Sequence, residues 1–195
     1  MNKSIYIISL FLLFSVQLFV PAQMVYQQED ALDTGTAYKF KTQPIDPNDP
    51  FRGKFIVLNY EMNSFETNDQ SWNNYKGNVF VYLKKDAEGF AAVKTVSKTQ
   101  LPTPDDYFMA ESNYNFNGKV NFDLPFNRFY MNENKAYDAE VSVQEAQVDT
   151  TKTCYALVYV KDGTAVLDNV FIDDKPIQEF VEAYQDKRET IEQGN

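Results

Sequence analysis

The side chains best suited to chemistry gather in one short run, Asp46-Pro47-Asn48-Asp49-Pro50-Phe51-Arg52-Gly53. Asp46, Asn48 and Asp49 bring three oxygen donors into one turn, the hard ligands that Ca²⁺ takes, but the alternation and the distal bidentate Glu of a calcium loop are missing. Asp and Asn also bond nearby backbone N–H groups in turns, and that is the role favoured for them. Arg52 carries a planar fork that can grip an anion with two bonds, or pair with Asp46, Asp49 or Glu133 and pin the turn onto a sheet. The pairing is the preferred reading. Cys154 lies in Cys154-Tyr155-Ala156-Leu157-Val158-Tyr159-Val160, apolar on both faces, where an inert buried thiol is expected rather than a nucleophile. Asp173-Asp174 reads as a solvated acidic turn. Among 28 acidic residues no two stand out as a glycosidase-like pair of carboxylates.

Composition narrows the chemistry further. The 195 residues include no His and one Cys, which removes the commonest general base, the commonest metal ligand, an intramolecular disulfide and a Cys-rich zinc site. No metal, no cofactor and no catalytic residue is expected, and the protein reads as non-enzymatic. Net charge is −10 and the basic residues are scattered, so nothing would compensate a phosphate backbone, and nucleic acid is not an expected partner.

The elements that must position these residues begin with a membrane-directed segment. Lys3 is the only charge before Glu29, and Ile5 to Val20 holds twelve Ile, Leu, Phe or Val residues. At about −0.5 kcal/mol each these contribute roughly −6 kcal/mol, more than a lone Gln17 costs. Val20-Pro21-Ala22 before Gln23 loosely fits a signal-peptide cleavage site. A helix from Ile5 to Val20 reaches only about 24 Å, however, whereas one continuing to Tyr26 reaches about 33 Å and spans the roughly 30 Å hydrocarbon core. An uncleaved anchor over residues 1–26 is therefore favoured over a peptide cut after Ala22. Lys3 would hold the N-terminus in the cytoplasm, Tyr6 and Tyr26 would lie at the interfaces, and the remaining chain would sit on the periplasmic or cell-surface side.

Beyond the anchor, residues 27–36 read as a polar tether or one fraying helical turn. Residues 37–177 read as one β-rich domain, mainly β with an α+β character, forming a compact antiparallel sheet or barrel-like body. Aromatic content of 15% supports this, since such rings favour pleated, half-buried surfaces. Alternation places Tyr38 and Phe40 on one face of an Ala37–Thr42 strand. Lys54–Tyr60 reads as a central strand, apolar on both faces in its middle. Asn63–Asn74 reads as an irregular loop with Trp72 tucked onto the sheet. Hairpins are expected at Asp86–Gly89, Asn117-Gly118 and Asp162-Gly163. Asn134–Val148 looks helical, and a polar helix from Pro176 ends the chain over a tail at 178–195.

Gly53-Lys54-Phe55-Ile56-Val57-Leu58-Asn59-Tyr60 resembles the motif that names the bacterial GDYXXLXY-domain proteins, with Lys54 where the family has Asp and Phe55 where it has Tyr. Gly53, Phe55, Leu58 and Tyr60 carry the match. The surroundings are similar as well: Glu29-Asp30 in the linker, Asp46-Pro47-Asn48-Asp49, Phe51-Arg52-Gly53, and Arg128-Phe129-Tyr130 leading to Glu133. The resemblance covers about Val20 to Ile177. It implies a membrane-anchored domain without an assigned activity, often encoded beside multi-pass membrane proteins, and hence an accessory subunit of such a partner. The alternative is a small-ligand-binding or hydrolytic β-domain. A membrane-signal-peptidase-like serine peptidase is disfavoured, because no Ser-Met-x-Pro nucleophile motif follows the anchor and Lys54 replaces the strand-start acid.

Overall fold

A computed structural model describes residues 3–43, 55–130 and 152–182. Helix α1 (Lys3–Thr34) opens the chain. Strands β1 (Thr36–Gln43), β2 (Phe55–Val57), β3 (Asn59–Tyr60), β4 (Ser64–Glu66), β5 (Gly77–Lys85) and β6 (Ala91–Ser97) follow. Then come β7 (Tyr107–Ser112), β8 (Asn115–Phe116), β9 (Lys119–Asn121), β10 (Arg128–Tyr130), β11 (Cys154–Lys161), β12 (Thr164–Ile172) and β13 (Lys175–Pro176). A helix over 177–182 comes after them.

The strands form antiparallel sheets in the orders β13-β12-β11-β1-β3, β6-β5-β7 and β4-β9-β8, with β10 paired to β2. No closed barrel forms among the described residues, so the open-sheet form of the expected β-rich domain is the one adopted. Local turn chemistry explains the hairpins. Asn117 and Gly118 have φ of 53° and 72°, Asp162 and Gly163 of 47° and 86°, the paired positive values that match strand twist. Asp86 closes the third hairpin by accepting from the backbone N–H groups of Glu88 and Phe90 through Oδ1. Trp72 is buried as expected, beside Tyr75.

Three expectations are corrected. The polar stretch 27–34 is not a tether: it lacks Gly and Pro, and α1 runs through it to Thr34. Lys54–Tyr60 does not form one central strand. β2 pairs with β10 and β3 pairs with β1, with the break at Leu58, and burial alternates: Ile56, Leu58 and Tyr60 face the core while Val57 and Asn59 face out. A segment shared between two sheets buries one face only. Finally, strand β4 lies inside the stretch 63–74 that reads as an irregular loop, where it pairs with β9, and β7 is a strand that the sequence reading did not identify. It follows Pro102 and Pro104, and its inward face of Phe108, Ala110 and Ser112 ends on a polar residue.

The core is aromatic at its centre. Phe40, Phe108 and Phe126 meet edge to face at 4.9 to 6.2 Å between ring centres, and Tyr60 joins through Phe40 and Phe126. Such pairs add to the area they bury. Because Phe40 lies on β1 and Phe108 on β7, this cluster ties the five-stranded sheet to the β6-β5-β7 sheet.

Candidate functional site

The motif strand is a piece of the core. Leu58 is buried and its N–H donates to the Asn127 carbonyl at 2.8 Å. The Tyr60 hydroxyl donates to the Phe126 carbonyl at 2.8 Å, and burial pushes its phenol well above the ordinary range. A neutral, fully engaged phenol is a strut, not an acid or base. Phe55 lies at the rim of β2, 5.5 Å from the Tyr130 ring, with the Arg128 guanidinium 5.1 Å from its ring centre. Asp46, Asp49, Arg52, Gly53 and Glu133 lie outside the described residues, as does the expected helix at Asn134–Val148. Among the described residues no group of three or more metal-ligating side chains comes together.

Cys154 is 6% exposed, and burial pushes its thiol up to about 11, in keeping with an inert side chain. The Asp173-Asp174 turn is more than a solvated loop. Both residues have positive φ, 49° and 61°. Asp173 Oδ1 accepts from the Thr153 N–H at 2.9 Å, while Asp174 Oδ1 accepts from Tyr155 at 2.7 Å and Lys39 at 3.0 Å. Those two bonds, Tyr155 first and Lys39 second, hold the Asp174 carboxyl below the ordinary range. The turn is a clip joining β1, β11 and β12.

The contacts that most affect how the molecule can act lie where α1 meets the domain. Ala31 is fully buried, and the Gly35 N–H caps its carbonyl at 2.9 Å. A Cβ on Gly35 would meet the Ala31 carbonyl oxygen at 2.3 Å and that of Val160 at 3.0 Å, so only glycine fits between helix end and strand. Lys161 Nζ donates to Asp30 Oδ2 at 2.7 Å and to the Thr34 hydroxyl at 2.6 Å, and the bond to Asp30 raises the lysine's proton affinity. The helix is thus clamped to the turn end of the β11–β12 hairpin, beside Asp162-Gly163. Sequence reasoning missed Lys161, which is 131 residues from Asp30; the Glu29-Asp30 pair in the presumed linker was the signal available.

Between Ile5 and Tyr26 the polar side chains are Ser9, Ser15, Gln17 and Gln23; Ser15 donates to the Phe11 carbonyl within the helix, whereas Gln17 and Pro21 together leave polar atoms at one level. Pro21 stays helical but has no N–H to give to the Gln17 carbonyl one turn earlier. The Gln17 carboxamide adds a second set of polar atoms at that level, and Gln17 is exposed.

A family model described as "GDYXXLXY protein" matches residues 17–170. The matched region therefore takes in Gln17, Pro21 and the whole clamp between α1 and the domain. No curated protein and no solved structure matches the chain.

Proposed function

The chain belongs to the GDYXXLXY proteins, and from that premise we propose that it is a membrane-anchored, non-enzymatic accessory subunit that docks on a multi-pass membrane partner. Helix α1 is long and apolar enough to cross a membrane. With Ile5–Tyr26 in the hydrocarbon, Lys3 stays cytoplasmic and the domain stands outside the cytoplasm. Gln17 then falls close to the middle of the span.

The observation that carries the proposal is the polar spot at Gln17 and Pro21. Lipid offers no hydrogen bonds to a freed carbonyl or a carboxamide, and neighbouring helices are the usual source of partners for both. The clamp supports the same reading. Eight further helical residues, 27–34, lift the domain about 12 Å above the span and hand it a fixed orientation. A flexible tether would suffice for a domain that works alone, whereas docking beside a partner needs a defined height and rotation.

The test is a mild-detergent pull-down of the full chain from its native membrane, read by mass spectrometry. One multi-pass protein is expected at near-equal amounts. Its recovery should fall several-fold when Gln17→Leu and Pro21→Ala are combined, in line with interhelical bonds worth about 0.6–2 kcal/mol in membranes. Exchange of residues 5–26 for an unrelated apolar helix should abolish recovery. A chain that purifies alone, or a partner retained through that exchange, would sink the proposal.

A further inference from the structure

Three open depressions lie side by side at the end of the domain away from α1, neighbours sharing lining residues, and together form an interrupted groove. The largest, about 670 Å³, covers the outer face of the β4-β9-β8 sheet. A second of about 180 Å³ shares Tyr114 and Asn121 with it. A third, also about 180 Å³, shares Asn63, Phe122 and Asp123 with the second and reaches Gln43. The position follows from strand direction. β1 starts with Thr36 opposite Val160, and Phe108, the second residue of β7, is bridged to Gly163, both at the clamped end. They finish at Gln43 and Ser112, beside the groove. Eight residues at about 3.3 Å each put roughly 26 Å between the two ends of β1.

The side chains on this face follow the two-residue period of strands. Asn115 and Val120 pair and point inward, where Asn115 is tied into place by bonds to Ser112, Tyr75 and Asn121. Tyr114 and Phe116 therefore point outward, 70% and 57% exposed, with no ring partner among the described residues. The Asn117-Gly118 turn is held against the β4 side by the Thr67 N–H, which donates to the Gly118 carbonyl at 2.7 Å. The carboxamides of Asn63, Asn68 and Asn117 line the groove and make no hydrogen bond to another described residue. Each offers two donors and an acceptor.

Charge and polarity select the ligand. Glu66 and Lys119 are directly opposed in register and offset each other, so the largest depression is close to neutral. A polyanion would need several cations, and among the described residues Lys119 is the only one lining the groove, on a chain of net charge −10. An apolar peptide or a lipid tail would need an apolar lining, and amides and hydroxyls dominate instead. Flat exposed rings beside unspent carboxamides suit a molecule that presents C–H faces and hydroxyls together. The elongated form of the groove suits a chain of such units. We propose that the groove binds a neutral oligosaccharide, with Tyr114 and Phe116 stacking on sugar faces and Asn63, Asn68 and Asn117 bonding hydroxyls. This does not depend on a membrane partner, because the site faces away from the anchor.

The full chain in lipid nanodiscs, free of sugar-headed detergents that would compete, is titrated calorimetrically with three probes. These are a β-1,4-linked glucose hexamer, a β-1,4-linked N-acetylglucosamine hexamer and an acidic hexuronate hexamer. Saturable binding of at least one neutral hexamer is expected. Tyr114→Ala and Phe116→Ala should each weaken it about ten-fold, as loss of a stacking ring predicts. Tyr130→Ala, which removes an equally exposed ring on β10, should leave it unchanged. Both test positions are on the surface, and an unaltered thermal melt of each variant confirms its fold. The proposal is overturned by no saturable binding of either neutral hexamer, by tighter binding of the hexuronate, or by equal binding in the ring-less variants.

Discussion

Where α1 meets the domain, Ala31 is fully buried, Gly35 leaves no room for a Cβ, and Lys161 closes on Asp30 and Thr34. At the far ends of β1 and β7, Tyr114 and Phe116 stand free above a groove lined by carboxamides. At the first end the polar groups are spent on one another, as holding a fixed geometry requires. At the second, Asn113, Asn115 and Asn121 are spent on the fold, while the carboxamides of Asn63, Asn68 and Asn117 are left unspent among the described residues, as binding something else requires. One aromatic core joins the two, so the domain can be rigid at its base and open at its tip without a second folding unit.

The largest effect is expected from cutting that joint. Phe40→Ala removes a fully buried ring in edge-to-face contact with Tyr60, Phe108 and Phe126. It should cost about 3–5 kcal/mol by denaturant unfolding. A loss under about 1 kcal/mol would mean that the two ends do not share one core.

A smaller effect separates the ends from each other. Gly35→Val drives a side chain into the Ala31 and Val160 carbonyls and should cost about 1–3 kcal/mol. It should also broaden the distance distribution between spin labels at Tyr26→Cys and Lys76→Cys, an exposed position beside Gly77 at the tip and outside the groove lining, while leaving hexamer binding at the tip intact. Native Cys154 is buried and does not compete for label. An unbroadened distribution would show that the clamp is not what orients the domain.

The smallest effect comes from the Asp174 clip. Its carboxyl is held below the ordinary range by Tyr155 and Lys39, so the folded state binds that proton more weakly than the unfolded state. The stability it contributes is complete above the usual carboxylate range, near pH 4, and is lost as pH falls below it. Asp174→Asn should lower the melting temperature slightly at pH 7, because Asp174 is 76% exposed and well screened. The difference from the unaltered protein should shrink progressively as pH falls below the usual carboxylate range. A gap that persists in acid would assign the effect to turn conformation, since Asp174 also has positive φ.

Short-range chemistry was legible from residues alone. Asn117-Gly118 and Asp162-Gly163 announce hairpins because few other pairs accept positive φ twice in succession. The apolar run after Lys3 announces a helix able to cross a membrane, and the motif ending in Leu58 and Tyr60 announces the family. Alternation likewise placed Tyr38 and Phe40 inside. Each of these signals is contained within a few residues, so no knowledge of distant chain is needed to interpret it.

What only the tertiary structure decided is whatever depends on residues far apart in the chain. The stretch 27–34 has no apolar periodicity to declare it helical; burial of Ala31 and the reach of Lys161 make it so. Leu58 ends one strand and begins another because β10 and β1 compete for the same segment from different sheets. The groove is assembled from positions around 43, 59–68 and 113–127, whose amides look like loop composition in sequence and become a surface only when β4, β8 and β9 are laid side by side. Local sequence specifies turns and faces through steric and hydrogen-bonding limits on neighbouring residues, whereas a clamp or a groove is a relation between faces, and pairing across the fold creates it.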